Sequence, residues 1–80
     1  MKDEAKEFLI LKIMAKAYEI STKTQCDVFV RFAGHVNALD IEIFEDGWSE
    51  QNDGENKSIW LYGNTALNEL KEIFEKLKKY

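Results

Sequence analysis

The fold is decided by residues 26–43, which read CDVFVRFAGHVNALDIEI. Apolar side chains recur at every second position on both sides of Gly34-His35, and that spacing is typical of strands with one buried face. We therefore predict an antiparallel hairpin with a two-residue turn at Gly34-His35, in which Gly34 supplies the positive φ of a type II′ turn. This turn would place Val30 opposite Leu39 and bring the apolar residues of both strands onto one face of the sheet.

Helical segments are predicted on either side of the hairpin. Residues 3–22 contain no glycine or proline and are rich in Ala, Leu, Lys, Glu and Met, which favour helices. A polar loop at 45–57 leads to a short third strand at 58–62, and residues 66–79 then carry apolar side chains at helical spacing. The order α-β-β-β-α predicts one α+β domain over residues 1–80. It should have two layers, with a three-stranded antiparallel sheet and both helices on one face.

Two sets of apolar side chains exceed what one small two-layer domain can cover. The apolar arc of the first helix is wider than one packing face, so the second helix, a second subunit or both must contact it. On the sheet face away from the helices, or in the adjoining loop, aromatic residues form a candidate interaction face: Phe29, Phe44, Trp48, Trp60 and Tyr62. The alternative is that the 45–57 loop folds over these rings. Both sets favour a homodimer, packed through the sheet face or through the helices.

Charge is distributed unevenly along the chain. It has 11 Lys+Arg and 15 Asp+Glu residues, a net charge of −4, and residues 37–56 contain no basic residue. Binding to nucleic acid phosphates requires clustered lysine and arginine, so the sequence predicts a protein that does not bind nucleic acid. The acidic segment is either a solvated loop or a candidate patch that imitates nucleic acid toward a basic protein groove. Its acidic residues are Asp40, Glu42, Glu45, Asp46, Glu50, Asp53 and Glu55.

Metal, redox and catalytic chemistry have few residues to draw on. The single cysteine, Cys26, and the single histidine, His35, can supply neither an internal disulfide nor a zinc site of three or four nitrogen or sulfur ligands. The acidic segment does not match the ligand spacing of a calcium loop, and Asp40 and Glu42 lack the pocket that acid–base catalysis requires. We expect no enzyme activity and no cofactor. With no signal peptide and no apolar run that could span a membrane, the sequence predicts a cytoplasmic protein.

The α-β-β-β-α order resembles that of the double-stranded RNA-binding domain over nearly the whole chain. That family carries a Gly-Pro-x-His type loop between its first two strands and a Lys-Lys-x-Ala-Lys type run at the start of its last helix. Residues 33–36 read AGHV and share only the Gly and the His, and residues 64–69 read NTALNE, without a lysine. RNA binding, which depends on those phosphate contacts, is therefore the least favoured function.

Four short stretches of the chain carry a second resemblance. They are residues 15–21 (AKAYEIS), 27–30 (DVFV), 34–36 (GHV) and 46–48 (DGW). In a short acidic chain, these stretches resemble small uncharacterised proteins of phages and prophages of Gram-positive bacteria, and the resemblance implies action by contact in the host cytoplasm. We therefore expect a small non-catalytic interaction protein that binds a protein partner or itself. The alternative is an acidic inhibitor of a nucleic-acid-binding protein.

Overall fold

Five elements make up the computed structural model, which describes residues 4–51 and 54–80. They are α1 (Glu4–Lys23), β1 (Asp27–Ala33), β2 (Ala38–Phe44), β3 (Glu55–Trp60) and α2 (Ala66–Leu77). The strands form an antiparallel sheet in the order β1-β2-β3, so β2 is paired on both sides. The predicted α+β fold with the order α-β-β-β-α is therefore confirmed.

The core lies between the sheet and the two helices. Alternate residues of β2, namely Leu39, Ile41 and Ile43, are buried on one face of the sheet. They form one apolar cluster with residues from α1, β3 and α2: Ile13, Ile20, Ile59, Leu70, Ile73 and Leu77. Because side chains of both helices belong to this cluster, both helices cover the same face of the sheet. Each fully buried Leu or Ile contributes roughly 1.5–3 kcal/mol of transfer free energy to this packing.

The observed span of α1 agrees with the predicted 3–22 to within one residue at each end, and residue 3 itself lies outside the described residues. Thr24 sets the end of the helix. Its hydroxyl donates to the Ile20 carbonyl oxygen at 2.8 Å and accepts from the Cys26 N–H at 3.0 Å. The Ile20 carbonyl oxygen also accepts from the Thr24 backbone N–H at 3.0 Å, so the hydroxyl adds a second contact at the helix end and pairs the Cys26 N–H just beyond it.

One polar side chain occupies part of the free edge of β1. The Ser21 hydroxyl on α1 accepts a hydrogen bond from the Val28 N–H at 2.9 Å and lies 3.5 Å from the Val28 carbonyl oxygen. An edge strand exposes such backbone groups as a template for pairing with another chain. Ser21 therefore fastens α1 to β1 and removes one position from that template.

The turn between β1 and β2 differs from the prediction. Val30 pairs with Ile41 rather than Leu39, and a four-residue loop from Gly34 to Asn37 replaces the predicted two-residue turn, which is wrong. The residue with positive φ is Asn37, at 52°, because a short polar side chain can hydrogen-bond locally and tolerate this conformation. The register shifts by two residues, so every residue of the two strands keeps its predicted face.

The third strand begins three residues earlier than predicted. β3 spans Glu55–Trp60 rather than 58–62, and its pairing with β2 runs from Ile43 opposite Glu55 to Ala38 opposite Trp60. The polar residues at the start of β3, Glu55 to Lys57, pair with the central strand β2 through their backbone groups. An edge strand such as β3 needs few buried side chains, so polar residues are accepted there. The loop before β3 is correspondingly shorter than the predicted 45–57.

Candidate functional site

The aromatic residues on the outer sheet face form two separate pairs. The strand register places Phe29, Phe44 and Trp60 on the face away from the helices. Phe29 and Phe44 meet edge to face, with ring centroids 5.5 Å apart. Trp60 lies beside Tyr62, with ring centroids 6.1 Å apart. A polar row of the ladder centred on Asp40 lies between the two pairs, so the predicted interaction face is not one continuous patch.

That polar row is held by contacts across all three strands. Asp40 accepts a hydrogen bond from Ser58 Oγ at 2.6 Å and lies 3.8 Å from the Arg31 guanidinium. Two residues further along β2, Glu42 accepts a hydrogen bond from the Asn56 side-chain amide at 3.4 Å. Both carboxylates therefore stabilise strand pairing on the outer face.

The loop between β2 and β3 covers Phe44, one of the two rings of the Phe29–Phe44 pair. Phe44 is only 5% exposed although it faces away from the helices. A Cβ atom added at Gly54 would lie 2.7 Å from Cε2 of this ring, so the loop backbone passes directly against it. Trp48 belongs to the same loop. Its backbone N–H donates to Asp27 Oδ2 at 2.8 Å, and its indole ring stays exposed. The loop therefore covers Phe44 and leaves Phe29 partly exposed.

The Trp60–Tyr62 pair is the open end of the outer face. Trp60 is 51% exposed and Tyr62 is 70% exposed. The chain turns directly after β3, where the Gly63 N–H donates to the Trp60 carbonyl oxygen at 3.1 Å. The residue opposite Trp60 on β2 is Ala38, which is small and buried. The cross-strand neighbour of the indole is therefore a methyl group and not a large side chain. Two adjacent exposed aromatic rings at a strand end are typical of a protein-binding anchor.

The residues of the predicted acidic patch are divided between different parts of the molecule. Asp40 and Glu42 lie on the outer sheet face, whereas Glu55 lies on the helix side and pairs with Lys76 at 2.5 Å. Glu45, Asp46 and Glu50 occupy exposed positions in the loop after β2. Asp53 lies outside the described residues. The described carboxylates therefore do not form a single array on one surface.

Glu45 is also the partner of Tyr80. The Tyr80 hydroxyl donates a hydrogen bond to Glu45 Oε2 at 2.8 Å. Burial, together with this hydrogen bond and the negative charge of Glu45, raises the pKa of Tyr80 to about 12. The contact therefore favours the neutral phenol and holds the residues after α2 against the loop after β2.

A second exposed apolar surface lies on α1, and the aromatic candidates from the sequence include none of its residues. Leu11 is 65% exposed and Tyr18 is 73% exposed. With three exposed neighbours they form what we call the α1 stripe: Phe8, Leu11, Met14, Ala15 and Tyr18. The stripe lies opposite the buried side of the helix, which consists of Ile13, Ala17 and Ile20. The wide apolar arc in the sequence signals this surface, but spacing alone does not tell which side faces the sheet.

The single cysteine and the single histidine lie in different surroundings. Cys26 is buried, which raises the pKa of its thiol, and His35 is exposed in the loop between β1 and β2. Within residues 4–51 and 54–80, no three His, Cys, Asp or Glu side chains are grouped so that they could hold a metal ion. In those same ranges no helix combines the length and apolar character needed to cross a membrane.

A shallow cleft of about 330 Å³ lies between β3 and α2. Ile41, Ile43 and Ile73 form its apolar part, and the ion pair between Glu55 and Lys76 lies at its rim. Among the described residues that line it, none is a histidine, a cysteine or a hydroxyl-bearing residue. The cleft therefore offers no hydroxyl or thiol nucleophile paired with a histidine base.

Comparison of the chain with protein family models, with curated proteins and with solved structures finds no match in any of the three. The resemblances to the double-stranded RNA-binding domain and to small phage and prophage proteins therefore stay predictions.

Proposed function

We propose that the protein is a small non-catalytic protein-binding module, with the Trp60–Tyr62 pair as the anchor of its binding surface. The observation that carries the proposal is the exposure of two adjacent aromatic rings at the end of β3, Trp60 at 51% and Tyr62 at 70%. Tyr and Trp bury a large area with few rotatable bonds, and they are enriched among the residues that dominate binding free energies at protein interfaces.

The surroundings of this pair suit a protein surface better than a small molecule. Both rings are exposed, and Trp60 lies on the outer sheet face, whereas small-molecule sites are concave. Beside Trp60, the exposed Arg31 and the half-buried Asp40 form an ion pair at 3.8 Å that can serve as a polar rim. A partner with an apolar or aromatic patch bordered by polar groups would match this arrangement.

Imitation of nucleic acid receives less support from the geometry. Glu55 is engaged by Lys76, and Asp40 contacts both Ser58 and Arg31. A mimic of a phosphate backbone would need these carboxylates on one surface, free to meet a basic groove. The predicted binding should therefore depend only weakly on salt.

The test is capture of a partner by the immobilised protein at about 0.05 M and about 0.5 M salt, a range over which exposed ionic contacts are strongly screened. A lysate of a Gram-positive bacterium is the first source, given the resemblance to small phage and prophage proteins. The wild type should retain its partner at high salt. The double variant Trp60→Ser/Tyr62→Ser should lose it, whereas the control Phe8→Ser/Tyr18→Ser, which removes two exposed rings from α1, should keep it.

A direct optical measurement complements the capture. Trp48→Phe leaves Trp60 as the single tryptophan. Addition of the captured partner should shift the emission of Trp60 to shorter wavelength, because the indole moves from water into an apolar contact. A partner that leaves this emission unchanged, or that dissociates at high salt, would show that the binding surface lies elsewhere.

A further inference from the structure

We propose that the α1 stripe is the interface of a parallel homodimer, in which the α1 helices of two copies of this chain pack side by side. This inference concerns a surface separate from the Trp60–Tyr62 pair and does not depend on the function proposed for that pair. It also goes beyond the sequence-based expectation of a homodimer, because it names the helix, the residues and the relative direction of the two copies.

The spacing of the exposed residues is that of a coiled-coil seam. Phe8, Leu11, Ala15 and Tyr18 follow one another at intervals of three, four and three residues, and all are exposed. Such a heptad spacing keeps apolar side chains on the line where two parallel helices touch. A surface helix of a monomer normally presents charged and polar residues on the side away from its core. α1 presents apolar residues there instead.

The charges beside the stripe select a second copy as the occupant and fix its direction. Glu7 directly precedes Phe8, and Lys12 directly follows Leu11. In a parallel pair of helices, residues five apart at these flanking positions meet across the seam. Glu7 of each copy would therefore meet Lys12 of the other copy, and the two-fold symmetry forms this ion pair twice.

An antiparallel arrangement is disfavoured by the same charges. Centred on the stripe, it would place Phe8 opposite Tyr18 of the second copy and bring the two Lys12 ammonium groups together. Like charges in facing positions across an interface are repulsive. The parallel arrangement is the one in which apolar residues and charges both match.

Lys12 is already held at the edge of the stripe. Its Nζ lies 5.1 Å from the ring centroid of Phe8 and 4.9 Å from that of Phe74 on α2. Cation–π contacts of this kind orient an ammonium group without neutralising its charge. The ammonium group therefore remains able to pair with a carboxylate that arrives with a second copy.

The length of the stripe sets the strength of the association. From residue 8 to residue 18 a helix rises about 15 Å, which is fewer than two full heptads. An interface of this length is smaller than the roughly 800 Å² per partner of a standard stable complex. The dimer should therefore be reversible and form in the micromolar range.

Charge exchange tests the direction and the partner together. Sedimentation equilibrium of the wild type up to about 0.5 mM should show a monomer–dimer equilibrium. Glu7→Lys and Lys12→Glu should each raise the dissociation constant by roughly tenfold, because each places like charges across both symmetric positions. The double exchange Glu7→Lys/Lys12→Glu should restore the wild-type value. The control Lys71→Glu, an exposed charge change on α2, should have no effect.

Cross-linking gives a second readout that does not depend on charge. In a parallel dimer, Ala15 of one copy faces Ala15 of the other, so Ala15→Cys should form a disulfide-linked dimer on oxidation. The wild type, whose Cys26 is buried, is the matched control and should not cross-link. Circular dichroism confirms that each variant is folded, since every changed residue is exposed. A monomer at about 0.5 mM would overturn the proposal, as would a dimer that is insensitive to the exchanges or an Ala15→Cys chain that does not cross-link.

Discussion

Replacing Gly54 with alanine should destabilise the fold by about 2–5 kcal/mol, by two separate mechanisms. Gly54 has a φ of +71°, and an L-amino acid in this left-handed region costs about 1–2 kcal/mol. The added Cβ would also lie 2.7 and 2.9 Å from Cε2 and Cδ2 of Phe44. Carbon atoms in contact normally stay about 3.5–4.0 Å apart, so the ring must move by nearly 1 Å.

The ring has little freedom to move. Phe44 is almost fully buried and packs edge to face against Phe29 at 5.5 Å. Forcing an extra methyl group into such a contact costs about 1–3 kcal/mol. For a domain of this size, the combined loss should lower the melting temperature by at least about 10 °C.

Thermal and urea unfolding of the wild type and four variants separate the two mechanisms. In a Phe44→Leu background the ring is absent, so Gly54→Ala should cost only the backbone share of about 1–2 kcal/mol. Gly34→Ala is the matched control, because Gly34 has no positive φ and its added Cβ would lie 3.4 Å from Phe32 Cε2. It should change stability by less than about 0.5 kcal/mol. If Gly54→Ala is equally neutral, the loop does not lie against Phe44 and the outer face is more open than described.

Three further perturbations test the core, the strand edge and the Tyr80 contact. Ile41→Ala, at a fully buried position of β2, should destabilise by about 2–5 kcal/mol in urea unfolding, and a smaller loss would mean that the site collapses around the cavity. Ser21→Ala removes the acceptor of the Val28 N–H and should cost about 1–2 kcal/mol, with more aggregation on light scattering, whereas Ser21→Thr should retain the bond. The pKa of Tyr80 is raised from 10.0 to about 12, so its contribution is present below pH 10 and is lost as the pH rises through 12. The melting temperature of wild type should therefore fall more steeply over this interval than that of Tyr80→Phe, and equal slopes would contradict the Glu45 contact.

The hairpin shows which part of a fold a hydrophobic pattern determines. The pattern of β1 and β2 has a period of two, so it decides which face each residue occupies but is unchanged by a slip of two. Val30 opposite Leu39 and Val30 opposite Ile41 satisfy it equally well. The loop decides between them, and Asn37, which tolerates positive φ, was the residue that could have indicated the longer turn.

The third strand and the α1 stripe show the limits of local sequence signals. Residues 55–57 are polar and have no strand propensity of their own, but β2 offers backbone partners that only the folded sheet provides. The width of the apolar arc on α1 predicts that the second helix, a second subunit or both contact this helix, and within the domain Leu11 and Tyr18 stay exposed. The part of the arc that is buried is the side of α1 that joins the cluster with Ile41 and Leu70, and only the assembled core determines that side.

The central position of β2 has a consequence for the order in which the chain folds. Each strand pair in the sheet also consists of neighbours in sequence, so both pairings close shorter loops than contact between the two helices does. The packing of α1 against α2 brings together segments that the whole sheet separates in the chain. Short loops carry a smaller closure entropy, so the sheet should be largely formed in the folding transition state, before the helices meet. In stopped-flow experiments Ile41→Ala should then mainly slow refolding, whereas Phe74→Ala on α2 should mainly accelerate unfolding.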